Sequence, residues 1–192
     1  EKDVDALEAL QNRVSVAVLS DPGPDKEQLQ HLLKAAIRAP DHGVLRPWRF
    51  IVLEGEDRGR LGQLLCKAKA AEQPEISAEE LHKLSGKPFR APMILAVVAE
   101  ITPEHRISPL EQIVATGAAV QNMMVAAHAL GLGAMWRTGG LANHRIVKQG
   151  LGFQEKDELV GFVYLGTPAG SIKRVPVEQP EQFIRALPKD DA

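Results

Sequence analysis

The stretch from Pro109 to Leu130 constrains the fold of this chain more than any other. It carries apolar or small residues on nearly every face, groups Gly117, Ala118 and Ala119 together, and stops at Gly131-Leu132-Gly133. A helix of that composition is buried, so it demands packing partners on several sides. The run from Ala91 to Ala99 is almost continuously apolar and predicts a strand covered on both faces.

The remaining pattern supplies the partners. Val4, Leu7 and Leu10 fall at helical spacing and predict a short first helix up to Asn12. The segment Arg13 to Leu19 follows, then a turn at Asp21-Pro22-Gly23-Pro24. Asp25 caps the next helix with Gln28 three residues on, and Leu29, Leu32, Leu33, Ala36 and Ile37 make its apolar stripe. Pro40 ends that helix, with Arg38 in its last turn and Asp41-His42-Gly43 in the loop beyond. Phe50 to Leu53 reads as a strand, Arg58 to Ala71 and Ser77 to Leu84 as helices. Ala134 to Trp136 is a short strand, His144 to Gly150 a small helix and Leu159 to Leu165 the last strand. The class is α+β, a modest sheet with a long helix through the centre.

At 192 residues there is room for one domain and little for a second. Residues 1–192 therefore read as a single domain, with a polar C-terminal extension from about 169 onward. That extension is either disordered or laid across a partner subunit, and Val175, Val177, Phe183 and Ile184 favour the second.

Several function classes are excluded by what is missing. A formal charge of -2 and 4% aromatic residues offer neither an electrostatic footprint nor a stacking surface for nucleic acid. No apolar run reaches the roughly 18 residues of a membrane span. The charged start Glu1-Lys2-Asp3-Val4-Asp5 is unlike a signal peptide, and its lack of Met leaves open an earlier segment removed or left out. The single cysteine, Cys66, cannot make an internal disulfide, so a reducing, cytoplasmic setting is expected. His31, His42, His82, His105, His128 and His144 stand apart, and no metal site is expected. His128 reads as a hydrogen-bonded core residue and Cys66 as structural. The Gly-x-Gly-x-x-Gly, Walker and Gly-x-Ser-x-Gly patterns are all missing.

Three segments place polar or cationic groups where helices end and strands begin. Arg13-Val14-Ser15 pairs a permanently charged fork of donors with a hydroxyl, a combination suited to phosphate, although an Arg there also complements a helix end. Arg38-Ala39-Pro40-Asp41-His42 and Arg46-Pro47-Trp48 form a loop stiffened by prolines. Gly131 to Gly140 surrounds Trp136, Arg137 and Thr138 with glycines that let backbone N–H groups approach a ligand.

In this order the segments resemble the nitroreductase family of flavoproteins. The matching pieces are Arg13-Val14-Ser15, Ala39-Pro40-Asp41, Pro47-Trp48-Arg49-Phe50, Gly131-Leu132-Gly133-Ala134-Met135-Trp136 and Leu165-Gly166-Thr167-Pro168. Asp41-His42 and Trp136-Arg137-Thr138-Gly139 look especially like the short YdjA-type members. The resemblance spans roughly residues 5 to 180. It implies a central, mostly antiparallel sheet flanked by helices, a homodimer with the long helix at its interface, and the C-terminal extension on the partner.

It also implies a noncovalent FMN at that interface, with NADH or NADPH as electron donor. Arg13, Val14 and Ser15 match positions that grip the phosphate and ribityl chain. Arg38 and His42 would reach the flavin from the other subunit, and Trp136, Arg137 and Thr138 would lie along its ring. Arg174, with Lys173 as the alternative, would meet the phosphate. No side chain is expected as the catalyst, because the flavin carries the chemistry. Acceptors would be small molecules, nitroaromatics or quinones, reduced in ping-pong fashion.

The sequence departs from the family at Val14, where a second Arg is usual, and at Ala17, where many relatives carry a cation near flavin N1. Arg46 replaces a usual Gln and is a candidate for that charge. Two alternatives stay open. One keeps the flavin but changes the chemistry to reductive dehalogenation or flavin fragmentation, with Glu72 to Lys87 as the only lid candidate. The other is a noncatalytic FMN-binding or storage protein, supported by Val14 and Ala17.

Overall fold

The computed structural model describes residues 4–187. The reading of Glu1-Lys2-Asp3 and the end of the C-terminal extension, 188–192, lie outside that range. Helix α1 (Ala6–Asn12) starts at Asp5, whose carboxylate accepts the N–H groups of Leu7 and Glu8. A short strand β1 (Leu19–Ser20) precedes α2 (Lys26–Ala36), which begins in the Asp25–Gln28 capping box expected from the sequence. Strand β2 (Trp48–Glu54), α3 (Glu56–Glu72) and α4 (Ala78–Ser85) follow. Then come β3 (Met93–Ala99), α5 (Pro109–Ala129), β4 (Gly133–Arg137), α6 (Arg145–Gly150) and β5 (Glu158–Pro168).

The five strands form one sheet in the order β1-β5-β3-β2, with β4 also pairing to β5, and every pairing is antiparallel. Every residue of β3 is buried because the sheet is covered on both faces. Met93, Leu95 and Val97 face a cluster with α2 and α5, including Leu32, Ala119, Val120 and Met123. Ile94, Ala96 and Val98 face Leu61, Leu65, Leu84 and Val147 from α3, α4 and α6. This two-residue alternation is the strand period itself. Each large side chain so buried contributes about 1.5–3 kcal/mol before the entropy of ordering it is subtracted.

The long helix is less enclosed than its composition suggests. Ala115, Ala119, Val120, Met123 and Met124 are buried, but Leu110 and Val114, one turn apart, are 68% and 61% exposed. The uncovered apolar surface of α5 lies in its first turns. The buried side of the helix also carries a polar residue that periodicity did not mark. Gln112 accepts the Thr102 N–H at 2.9 Å and donates to the carbonyls of Thr102 and Ile107 at 3.0 Å, tying the loop before α5 to the helix.

One smaller reading changes. His128 is half-exposed near the end of α5 rather than sealed in the core, since the helix emerges there and stops at Ala129. Residues 73–77 are a short loop, and α4, exposed along most of its length, is docked through Leu84. Cys66 does pack as a structural residue. Its Sγ donates to the Leu81 carbonyl at 3.2 Å, and burial pushes the thiol pKa up, away from thiolate chemistry.

Candidate functional site

The segment after α1 runs beside β4, because Val16 N–H donates to the Ala134 carbonyl at 2.9 Å. That one bond brings Arg13, Val14 and Ser15, all half-buried, to the side of β4 away from β5. Arg13 closes α1, its N–H donating to the Ala9 carbonyl. Its side chain does more than complement the helix end. Nη1 of Arg13 is buried and has no hydrogen-bond partner among the described residues. An unsatisfied buried donor costs about 1–3 kcal/mol, and more when charged, so proteins rarely leave one without an acceptor.

The glycines of the next segment divide into two kinds. Gly131, at φ +74, terminates α5, with Leu132 N–H returning to the Ala127 carbonyl. Gly133 is packed tightly under Val16 and Leu19, so its missing side chain makes room for the neighbouring segment rather than for a ligand. Gly131, Gly139 and Gly140 all have nothing near an added Cβ, and of these Gly139 and Gly140 lie just beyond β4. Strand alternation then separates Trp136 from Arg137. Trp136 lies on the α5 side, near Gly117, with 38% of its surface exposed. Arg137 leaves through the opposite face, its Cζ 5.6 Å from the Tyr164 ring. Thr138 follows, exposed, at the end of the strand.

Trp136 is fixed by an irregularity of the sheet. The register between β3 and β5 shifts at Val97/Val98, leaving Val160 bulged, and its carbonyl accepts Trp136 Nε1–H at 3.2 Å. Gly161, next to the bulge, has φ +155. A Cβ there would overlap Trp136 Nε1 and lie 2.9 Å from the Arg137 carbonyl.

Arg38 and His42 sit on the exposed loop after α2. The loop is held by Asp41, whose nearly buried carboxylate accepts Arg46 N–H at 2.7 Å and lies 4.0 Å from the Arg46 guanidinium. Arg46 itself has φ +53, and its guanidinium lies 5.9 Å from the Trp48 ring centroid, which keeps it on its own loop. His42 Nδ1 is 2.8 Å from Glu111 Oε1 in the first turn of α5, leaving Nε2 outside that pair. The His42 ring, together with the Ser108 N–H and hydroxyl, holds the Glu111 carboxyl down to about 2. Asp41, Glu111 and Gly161 were not singled out for the site from the sequence. The local signals for them are the Asp41-His42 motif, which marks Asp41 without its task, and the Ser108–Glu111 capping box, which concerns Glu111.

The C-terminal extension begins beside the same segment, Ala169 N–H donating to the Val18 carbonyl at 3.0 Å. Lys173 and Arg174 follow on exposed chain, and Ile172, Val177, Phe183, Ile184 and Leu187 are exposed apolar residues beyond β5. No group of residues that could hold a metal ion occurs among the described residues, nor does a helix long and apolar enough to cross a membrane.

An all-antiparallel sheet with α2 and α5 on one face and α3, α4 and α6 on the other is the nitroreductase fold. A crystal structure of a nitroreductase-like family protein from Bacillus cereus superposes with a TM-score of 0.82 at 24% identity, covering 97% of this chain and 98% of that one. The chain belongs to the nitroreductase family, whose model matches residues 10–167. It is 44% identical over 165 residues to the Escherichia coli (strain K12) protein named "Putative NAD(P)H nitroreductase YdjA", covering 86% of this chain and 89% of that protein. A "putative nitroreductase in complex with fmn" from Desulfovibrio desulfuricans is 26% identical, with a TM-score of 0.68 and coverage of 98% and 99%.

Proposed function

We propose that this chain is an FMN-dependent NAD(P)H oxidoreductase, working as a homodimer and reducing nitroaromatic or quinone-like acceptors. The observation that carries the reading is the buried, unpartnered Nη1 of Arg13 beside β4. The relative named an NAD(P)H nitroreductase and the FMN complex at 26% identity support it.

The residues fit the cofactor. Arg13 would meet its phosphate with a charge-assisted fork, with Ser15 and the backbone of Val14 beside it. Thr138 and the open Gly139 would offer backbone N–H groups to the ring, with Trp136 and the backbone of Arg137 along the same edge. Arg38 and His42 would come from the second copy, with His42 oriented by its bond to Glu111. Arg174, or Lys173 next to it, would reach the phosphate from the C-terminal extension. Bound FMN supplies two-electron transfer between nicotinamide and acceptor. The chain's part is to hold the ring, tune its hydrogen bonding and keep solvent off one side of it. The exposed Leu110 and Val114 on α5 and the apolar residues of the extension support a second copy as partner.

Purification followed by an absorption spectrum tests the cofactor, and steady-state NAD(P)H consumption with a nitroaromatic tests the turnover. A yellow protein that consumes NAD(P)H is expected. A protein that takes up no FMN overturns the reading. A flavin-loaded protein that does not oxidise NAD(P)H would be a flavin carrier instead.

A further inference from the structure

On the face of β4 opposite Trp136, Arg137 enters a cleft of about 200 Å3 that it shares with Lys87, Arg90 and Tyr164. Arg137 Nε is buried there without a partner among the described residues. Burial raises the Tyr164 hydroxyl pKa, while Arg137 and Arg90 draw it back down, so both charges act on that one oxygen. Neither Lys87, Arg90 nor Arg137 joins an ion pair among the described residues. Three cations around one small cleft repel one another until an anion joins them. The open glycines Gly139 and Gly140 form part of the wall and let an oxygen approach the backbone.

We propose that this cleft binds a phosphate monoester group. Two guanidinium forks and an ammonium match a dianion with three acceptor oxygens better than they match a single carboxylate. The organic part of the ester has a place as well. A neighbouring cleft of about 390 Å3, walled by Ile76, shares Leu84, Lys87, Gly140 and Leu141 with the first. The site lies on the α3 and α4 side of the sheet, away from the Arg13 segment, and meets the flavin candidates only at Arg137, Thr138 and Gly139. Two sources would present this chemistry: the 2′-phosphate of NADPH, or a phosphorylated small molecule. Assigning the source, though not the site, rests on the redox reading above.

The test is calorimetric titration of the protein with inorganic phosphate, in wild type and in Lys87→Gln/Arg90→Gln. Both residues are exposed and outside the flavin candidates, so folding should survive, as a melting curve will show. Should the double variant not fold, Arg90→Gln alone serves. Saturable binding that weakens by about tenfold or more in the double variant is expected, with Arg90→Lys intermediate. No saturable binding in wild type, or equal binding in both proteins, overturns the proposal. The KM for NADPH and for NADH then separates the sources. A KM that rises for NADPH alone assigns the site to the donor. An unchanged ratio with weakened phosphate binding assigns it to another phosphate ester. Absence of NAD(P)H turnover with phosphate binding intact would defeat the redox reading and leave this site standing.

Discussion

His42 Nδ1 and Glu111 Oε1 lie 2.8 Å apart, joining the loop after α2 to the first turn of α5. The pair is exposed, so its Coulombic worth in solution is small. Its consequence lies in geometry and pH. Glu111 closes the capping box with Ser108 and orients the His42 ring through the same carboxylate.

The depressed Glu111 pKa makes a pH prediction. Its carboxyl drops from 4.5 to about 2 in the folded chain. A depressed acid contributes stability that is full above its unfolded pKa and is lost as pH falls through the folded value. Urea unfolding of wild type and Glu111→Gln should therefore differ at about pH 5, and the difference should vanish towards pH 2. Gln keeps the cap, so curves that stay parallel down to pH 2 would refute the linkage.

Gly161→Ala tests how Trp136 is held. The added Cβ meets Trp136 Nε1 and a backbone oxygen, at a φ that side chains rarely adopt. Overpacking and backbone strain together should cost about 1–3 kcal/mol and release the Val160 hydrogen bond. Urea unfolding measures the first and a shifted tryptophan emission the second. An unchanged spectrum at unchanged stability would contradict the packing described.

The proposed dimer can be tested on α5. Val114→Asp places a charge on the exposed apolar stripe that Leu110 continues. In a monomer this surface change should cost within about 0.5 kcal/mol. In a dimer joined by this face it should shift sedimentation from two copies towards one. A variant that sediments as wild type would move the interface elsewhere.

The fold was legible wherever burial imposed a period. The continuous apolar run of β3, the capping box of α2 and the bounds of α5 all follow from local pattern. What escaped is set by tertiary contact. Gly133 reads as a ligand-approach residue until Val16 and Leu19 are seen packed on it. Arg137 reads with Trp136 as one surface until strand alternation parts them. Gln112 reads as one polar position on an apolar helix, and only the folded 102–107 loop reveals its three bonds. Asp41 is legible as a motif residue, but its task, holding Arg46 N–H from a nearly buried carboxylate, depends on a loop shape that the sequence does not spell out.

The central claim is that Arg13 grips the phosphate of FMN, and titration of FMN and riboflavin into apo wild type and apo Arg13→Ala tests it most directly. Loss of charge-assisted bonds to a phosphate should cost on the order of 2–3 kcal/mol, which is roughly a 30- to 150-fold loss in FMN affinity. Arg13→Lys should recover only part, because an ammonium lacks the fork. Riboflavin has no phosphate and should bind wild type and Arg13→Ala about equally. FMN binding both proteins with the same affinity would contradict the account and leave the buried Nη1 of Arg13 a structural feature alone.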